Sequence, residues 1–195
     1  MFITGPLKLA LATIHEALFE VRNKFTIGCV FEPIDLLNDA LKEYFGIDEP
    51  KIGVAALNPH ASEGGQFGDE EQRIISPAIL LAQHQGINCL GPFPADTLFL
   101  RAVHGEFDGV VAMYHDQGMI PVKLLDFEHA VNVTIGIPII RTSPAHGTAF
   151  DIAGQNIANP AGLKSAISIA IQMAKTKKNS EFRIENLETK VGNER

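Results

Sequence analysis

The sequence has no tryptophan and only two cysteines among its 195 residues. Cys29 and Cys89 have the spacing of neither a metal site nor a redox pair, so we expect buried thiols in a reducing cytoplasm. Basic residues are also few, since 16 Lys and Arg stand against 23 Asp and Glu, for a net charge of −7. This charge, without any basic run, argues against a nucleic-acid-binding protein.

Long hydrophobic runs are missing as well. No apolar stretch approaches the roughly 18 residues of a transmembrane helix, so we expect no membrane partner. The N-terminus places Lys8 inside an apolar region instead of ahead of it, which does not fit a signal peptide. The pattern G-x-G-x-x-G occurs nowhere, so a Rossmann dinucleotide site has no support. These absences favour a cytoplasmic, soluble protein.

Short apolar runs alternate with helical patterns along the chain. The predicted strands are residues 8–15, 51–58, 87–94, 109–115 and 130–140, and the predicted helices are 34–45, 70–85, 95–103, 121–127 and 160–175. This alternation predicts an α/β fold with a mostly parallel sheet flanked by helices. The run 130–140 alternates less cleanly and contains Gly136 and Pro138, so it is a candidate for an antiparallel or edge strand.

The sequence predicts one α/β region over residues 1–178, followed by a polar C-terminal tail over 179–195. Gly46 is a candidate C-cap for the helix predicted at 34–45. Asn159 followed by Pro160 is the cap-and-proline start of the last predicted helix.

Three histidines follow predicted strands at equivalent places. His15, His60 and His115 each stand where a strand ends, and the carboxyl ends of parallel strands share one edge of a sheet. A single histidine at such a place is more often an ordinary polar residue than a ligand. Three of them, with Asp96 or Asp116 nearby, suggest a site for Zn²⁺, Co²⁺ or another divalent ion.

Two further segments carry candidate ligand-binding groups. The glycine-rich stretch 58–71 either brings its backbone close to a phosphate or is simply a tight turn, and its acidic end disfavours an anion on the following helix. Lys123, Asn132 and Arg141 follow the histidine-bearing strand predicted at 109–115. The cations Lys123 and Arg141 would bind a carboxylate or phosphate of a ligand, or else form ordinary ion pairs within the chain.

Several blocks together resemble one enzyme family. They read Asn-Pro-His-Ala-x-Glu-Gly-Gly from residue 58, Pro-Ala-Asp-Thr from 94, Met-Tyr-His-Asp-Gln-Gly from 113, Val-Asn-Val-Thr from 131, Ile-Arg-Thr-Ser from 140 and His-Gly-Thr-Ala from 146. In this order they resemble 4-hydroxythreonine-4-phosphate dehydrogenase of the pyridoxal-phosphate pathway. The stretch from 146 to 160 is also similar to the cofactor loop of the isocitrate and isopropylmalate dehydrogenase group, which binds NAD(P) on a non-Rossmann α/β fold.

The resemblance implies specific roles for these residues. It makes His15, His60 and His115 ligands of a divalent metal (Zn, Co or Mg), with one histidine coming from the partner subunit of a homodimer. It makes Lys123, Asn132 and Arg141 substrate-binding residues, and places Lys123, Asp116 and Asp96 among the catalytic groups. The NAD(P)-binding positions implied by the loop are His146, Gly147, Thr148, Asp151 and Asn159.

The implied reaction is oxidation of the 3-hydroxyl of 4-hydroxythreonine 4-phosphate, followed by loss of CO₂. The match covers the C-terminal part of the family, so the N-terminal portion of the family fold is expected to be absent. Alternatives are a paralogue acting on D-threonate or D-erythronate 4-phosphate and a catalytically incomplete metal-binding remnant. A metal-dependent hydrolase would explain the histidines but not the loop from 146 to 160.

Overall fold

A computed structural model describes the backbone of residues 1–192 and the side chains of residues 1–178. In this part of the chain the strands are β1 (Phe2–Thr4), β2 (Leu7–Leu11), β3 (Ile52–Ala55), β4 (Cys89–Phe93), β5 (Gly109–Ala112), β6 (Val131–Thr134) and β7 (Arg141–Pro144). The helices are α1 (Leu18–Lys24), α2 (Ile27–Phe45), α3 (Ser76–His84), α4 (Ala95–Val103), α5 (His115–Asp126) and α6 (Ala161–Gly192).

The strands form a single sheet in the order β4-β3-β5-β2-β1-β6-β7. The neighbours from β4 to β2 are paired parallel, whereas β1 is antiparallel to both β2 and β6, and β7 is antiparallel to β6. Strands β4, β3, β5, β2 and β6 therefore share one direction, and only β1 and β7 oppose it. The predicted α/β fold with a mostly parallel sheet is confirmed.

Helices cover both faces of the sheet because successive residues of its strands point to opposite sides. On β2, Leu9 packs in the core beneath α4 and α5, whereas its neighbour Ala10 packs in the core beneath α2 and α3. A third cluster joins β6 to α2 and α6. Double-sided burial explains why the parallel strands read as continuous apolar runs.

Helix α2 is longer than the sequence predicts. The side-chain oxygen of Thr26 accepts a hydrogen bond from the Cys29 N–H and caps a helix that begins at Ile27 and contains Pro33. Because proline usually marks a helix start or break, the sequence pattern placed the start just after Pro33. The predicted C-cap is confirmed, since Gly46 has a φ of 66° and its N–H bonds to Leu41 and Lys42 carbonyls.

Other element bounds also differ from expectation. The strand predicted at 8–15 ends at Leu11, and the helix predicted at 121–127 begins at His115. The stretch 130–140 yields only β6, which is antiparallel as the sequence suggested, and β7 follows after a turn. Strand β1 and helix α1 were missed because they are only three and seven residues long. The predicted polar tail continues α6 to Gly192, and residues 193–195 lie outside the described residues.

The two cysteines differ in exposure. Cys89 is buried, as expected, and burial raises the pKa of its thiol to about 11. Cys29 is half-buried, and its Sγ donates to the Ala12 carbonyl at 3.3 Å. Neither forms a disulfide. Among the helices of the described residues, none combines the length and apolarity needed to cross a bilayer.

Candidate active site

The register between β2 and β5 brings two of the predicted histidines together. Beyond the strand ends, the Thr13 N–H donates to the Met113 carbonyl at 3.2 Å, and the Thr13 hydroxyl donates to the same oxygen at 2.8 Å. His15 lies two residues after Thr13, and His115 lies two residues after Met113. Their ring centroids are 5.7 Å apart. Parallel pairing thus converts a separation of 100 residues into a contact, as the sequence pattern predicted for this pair.

These histidines line a cavity of about 650 Å³ at the carboxyl edge of the sheet. The predicted site residues in its wall are His15, His115, Lys123, Asn132 and His146. The histidine pair belongs to the parallel half of the sheet, whereas Asn132 belongs to antiparallel β6. The cavity therefore spans the boundary between the two halves.

A carboxylate orients one ring of the pair. Asp116 Oδ1 lies 2.6 Å from His115 Nδ1, at the first turn of α5. If Nδ1 is bonded to the carboxylate, Nε2 is the ring nitrogen that remains for a ligand. A carboxylate on the second ring nitrogen is the usual arrangement around metal-binding histidines, so this geometry fits a metal ligand.

His60 does not join the pair. It follows β3 in a left-handed turn, its side chain is 67% exposed, and its Nδ1 lies 3.1 Å from Glu63 Oε1. Among the described side chains, no group of three His, Cys, Asp or Glu residues is arranged to hold a metal ion. Asp96 is also apart, because it lies on α4 after edge strand β4 and is absent from the wall of the 650 Å³ cavity.

Two polar groups in the cavity wall have no internal partner. Within the part of the chain whose side chains are described, neither the Lys123 ammonium nor the Asn132 amide makes a hydrogen bond or ion pair. Arg141 also forms no ion pair there, and its Nη1 donates to Thr134 Oγ1 at 2.9 Å across the β6–β7 pair. Thr134 lines the cavity, although Arg141 itself does not. The alternative of ordinary ion pairs for these cations is therefore not observed.

A second cavity of about 370 Å³ adjoins the first through His146, which lines both. His146, Gly147 and Asn159 of the predicted cofactor residues line it, whereas Thr148 and Asp151 lie in the same loop outside its wall. His146 Nδ1 is 2.8 Å from the Gly147 carbonyl oxygen, and Asn159 Oδ1 accepts from the Ala161 N–H at the start of α6. Asn159 is thus the helix cap that the sequence predicted.

Gln117 is a residue of the site that the sequence did not indicate, and its side chain bridges two strand ends. Its Nε2 donates to the Ala56 carbonyl at 2.7 Å, and its Oε1 accepts from the Met113 N–H at 2.7 Å. The side chain thereby joins the ends of β3 and β5. Its place in the block around His115 was the only signal, because the Ala56 contact connects residues 61 positions apart.

Replacing Gln117 with glutamate tests this bridge. In the Q117E variant a carboxylate oxygen faces the Ala56 carbonyl, so an acceptor opposes an acceptor. We expect the free energy of unfolding to fall by about 1–3 kcal/mol at neutral pH. Denaturant unfolding measures the change, with Gln172→Glu at an exposed position of α6 as the matched control. Equal stability of Q117E and the wild-type protein would contradict the bridge.

Comparison with known proteins identifies the family and agrees with the fold. A family model described as pyridoxal phosphate biosynthetic protein PdxA matches residues 1–170. The 4-hydroxythreonine-4-phosphate dehydrogenase of Geobacter metallireducens is 53% identical over 171 residues, which are 88% of this chain and 50% of that protein. The chain spans about half the length of the curated relatives it matches.

Solved structures give the same result. The crystal structure of 4-hydroxythreonine-4-phosphate dehydrogenase from Klebsiella pneumoniae superposes with a TM-score of 0.78 at 43% identity, covering 88% of this chain and 51% of that one. A terephthalate 1,2-cis-dihydrodioldehydrogenase from Burkholderia xenovorans LB400 has a TM-score of 0.71 at 36% identity, covering 87% and 54%. The chain therefore belongs to the PdxA family of pyridoxal phosphate biosynthetic proteins.

Proposed function

We propose that this chain contributes to a dehydrogenase that oxidises the 3-hydroxyl of 4-hydroxythreonine 4-phosphate with NAD(P), with loss of CO₂, in pyridoxal 5′-phosphate biosynthesis. The observation that carries the proposal is the meeting of His15, His115, Lys123, Asn132 and His146 in one cavity. Family membership supports the activity, because the relatives are named as this dehydrogenase.

The cationic and amide side chains of the site are proposed to bind the substrate. The Lys123 ammonium and the Asn132 amide have no partner among the described side chains, so they are available to the phosphate and carboxylate of a substrate. Arg141 lies beside the cavity through Thr134, and its planar guanidinium suits bidentate contact with a phosphate. A dianionic substrate accordingly fits this part of the site better than a neutral one.

The metal site is proposed to be shared between two copies of the chain. His15 and His115 from one copy and His60 from the other would hold a divalent ion (Zn, Co or Mg). The carboxylates at Nδ1 of His60 and His115 fit this role, because both rings then keep Nε2 for the ion. When bound, such an ion supplies Lewis acidity that lowers the pKa of a hydroxyl it contacts.

The redox step balances with the residues present. The hydrogen on C3 leaves as a hydride to NAD(P), and the hydroxyl proton is relayed to water, with Lys123 as the proposed relay. The neighbouring C–C bond then breaks, CO₂ leaves, and the electron pair left on carbon takes up a proton. We assign Asp116 to orienting His115. The family resemblance places Asp96 among the catalytic groups, although Asp96 lies outside the wall of the 650 Å³ cavity.

The cofactor is proposed to occupy the second cavity, in contact with His146, Gly147 and Asn159. Thr148 and Asp151 would contact it from the remainder of the loop. Because His146 lines both cavities, a cofactor in the second cavity adjoins a substrate in the first. Close approach of donor and acceptor carbons is what direct hydride transfer requires.

A homodimer is proposed because large apolar side chains are exposed next to the histidine pair. Ile14 is 54% and Leu18 63% exposed, and both line a cavity shared with His15 and His115. Covering such a surface with a second copy removes it from water and brings a further chain to the site. The free thiols and the nicotinamide chemistry support a cytoplasmic location.

Turnover tests the proposal directly. The purified chain, loaded with Zn²⁺, Co²⁺ or Mg²⁺, is mixed with NAD⁺ or NADP⁺ and with 4-hydroxythreonine 4-phosphate, D-threonate 4-phosphate or D-erythronate 4-phosphate. We expect equal amounts of reduced nicotinamide and CO₂, with the highest kcat/KM for 4-hydroxythreonine 4-phosphate. Lys123→Met should abolish turnover, whereas Lys175→Met at an exposed position of α6 should not. A folded, metal-loaded chain without turnover on any of these substrates would refute activity of this chain.

A further inference from the structure

Glu71 is a buried carboxylate without a cation beside it. Its residue is only 2% exposed, and it forms no ion pair among the described side chains. Oε1 accepts from the backbone N–H groups of Leu57 at 2.9 Å and Asn58 at 2.7 Å, and Oε2 accepts from Asn58 Nδ2 at 2.9 Å. Glutamate is rarely buried without a charged partner, because desolvation is costly. All hydrogen bonds of its carboxylate go to the two residues that precede Pro59 and His60.

The segment that follows is strained. His60, Ala61, Ser62 and Glu63 have φ values of 55°, 52°, 63° and 44°, and Gly64 continues at 70°. The left-handed conformation costs an L-residue about 1–2 kcal/mol, so four in succession form an unfavourable turn. Such a backbone persists only where its surroundings fix it.

Two anchors hold this turn. Glu71 fixes residues 57 and 58 before it, and buried Ser62 accepts from the Gln66 and Phe67 N–H groups after it. Between the anchors, the side chain of His60 is 67% exposed, and its Nδ1 lies 3.1 Å from Glu63 Oε1. The turn therefore presents the imidazole of His60 to solvent, apart from the pair formed by His15 and His115.

We propose that Glu71 is a positioning residue, which holds the left-handed turn so that His60 reaches a metal ion bound by a second copy of this chain. The proposal rests on the shared metal site proposed above, and it assigns the presentation of His60 to a carboxylate that does not touch the ion. Glu71 acts by fixing the backbone, since its oxygens bond mainly to main-chain N–H groups.

The test compares the full chain with its Glu71→Gln variant. In E71Q, Oε1 still accepts from both backbone N–H groups, so the chain folds, but Nε2 opposes the Asn58 amide donor. We expect the amides of residues 57–67 to exchange hydrogen roughly tenfold faster in the metal-free protein. We expect the Zn²⁺ affinity, measured by titration calorimetry with zinc alone, to fall about 10- to 100-fold.

Two further variants separate positioning from general destabilisation. Glu49→Gln changes an exposed carboxylate elsewhere and should alter neither readout. Ala61→Gly in the E71Q background relieves strain at a positive φ, so it should recover part of the lost zinc affinity. A variant that is merely less stable would show faster exchange throughout the chain and no recovery.

The outcomes are distinguishable. Unchanged exchange at 57–67 in E71Q overturns the positioning role whatever the zinc result. Faster exchange with unchanged zinc affinity overturns the link to His60. A wild-type chain that binds no zinc refutes the shared metal site itself, and the positioning role with it.

Discussion

A chain with alanine in place of His60 is expected to fold and to lose its stoichiometric zinc, and His115→Ala should do the same. The two variants mixed together should recover binding. A mixed dimer joins His15 and His115 of one chain to the intact His60 of the other, which completes one site of two. Random pairing then restores about a quarter of the wild-type zinc content per chain, since about half of the dimers are mixed.

The zinc content of dialysed protein, measured by atomic spectroscopy, checks this prediction. His84→Ala is the matched control, because His84 ends α3 and is exposed. Stoichiometric zinc in the His60→Ala variant would exclude His60 as a ligand. Loss of zinc in both variants without recovery on mixing would mean that all ligands come from a single chain.

Replacing Gly118 with alanine is expected to destabilise the protein. Gly118 lies on α5 where the helix crosses β2, and an added Cβ would stand 2.5 Å from Leu9 Cδ2 and 2.7 Å from Leu11 Cδ2. Leu9 is completely buried, so its side chain would have to shift within the packed core. Overpacking should lower the free energy of unfolding by about 1–3 kcal/mol, even though alanine favours helix more than glycine does. Valine at this position should cost more.

Gly28→Ala is the matched comparison for this prediction. Gly28 also lies in a helix, but an added Cβ would meet only the Thr26 Oγ1, at 4.0 Å. Its unfolding free energy should stay the same or rise by up to about 1 kcal/mol. Denaturant unfolding of both variants measures the two changes in unfolding free energy. A Gly118→Ala variant as stable as the wild-type protein would show that α5 does not require close contact with β2.

The sequence predicted the part of the site that depends on strand ends. His15 and His115 follow parallel strands that are direct neighbours, so their meeting follows from the pattern of apolar runs. Lys123 was singled out by its position after the His115 strand, and Asn132 as a polar residue within an apolar run. Apolar runs are a local property of the sequence, which is why the placement of these residues near one edge of the sheet could be predicted.

The sequence did not reveal what depends on backbone handedness or on contacts between distant residues. The glycines near His60 suggested a turn, but four consecutive non-glycine residues with positive φ leave no mark in composition. Glu71 looked like one acidic residue of a helix start, and its burial appears only when residues 57 and 58 fold over it. Pro33 led to a helix start that was predicted too late, because this proline lies within α2.

The shortest strand joins the two walls of the active site. Strand β1 has three residues, yet it alone pairs with both β2 and β6 in the middle of the sheet. The histidine pair lies on one side of this strand, and Asn132 and Ser143 lie on the other. Any flexing of the sheet at β1 changes the width of the cavity between them. The width of the cavity therefore depends on the three residues of β1 and on their pairing with both neighbouring strands.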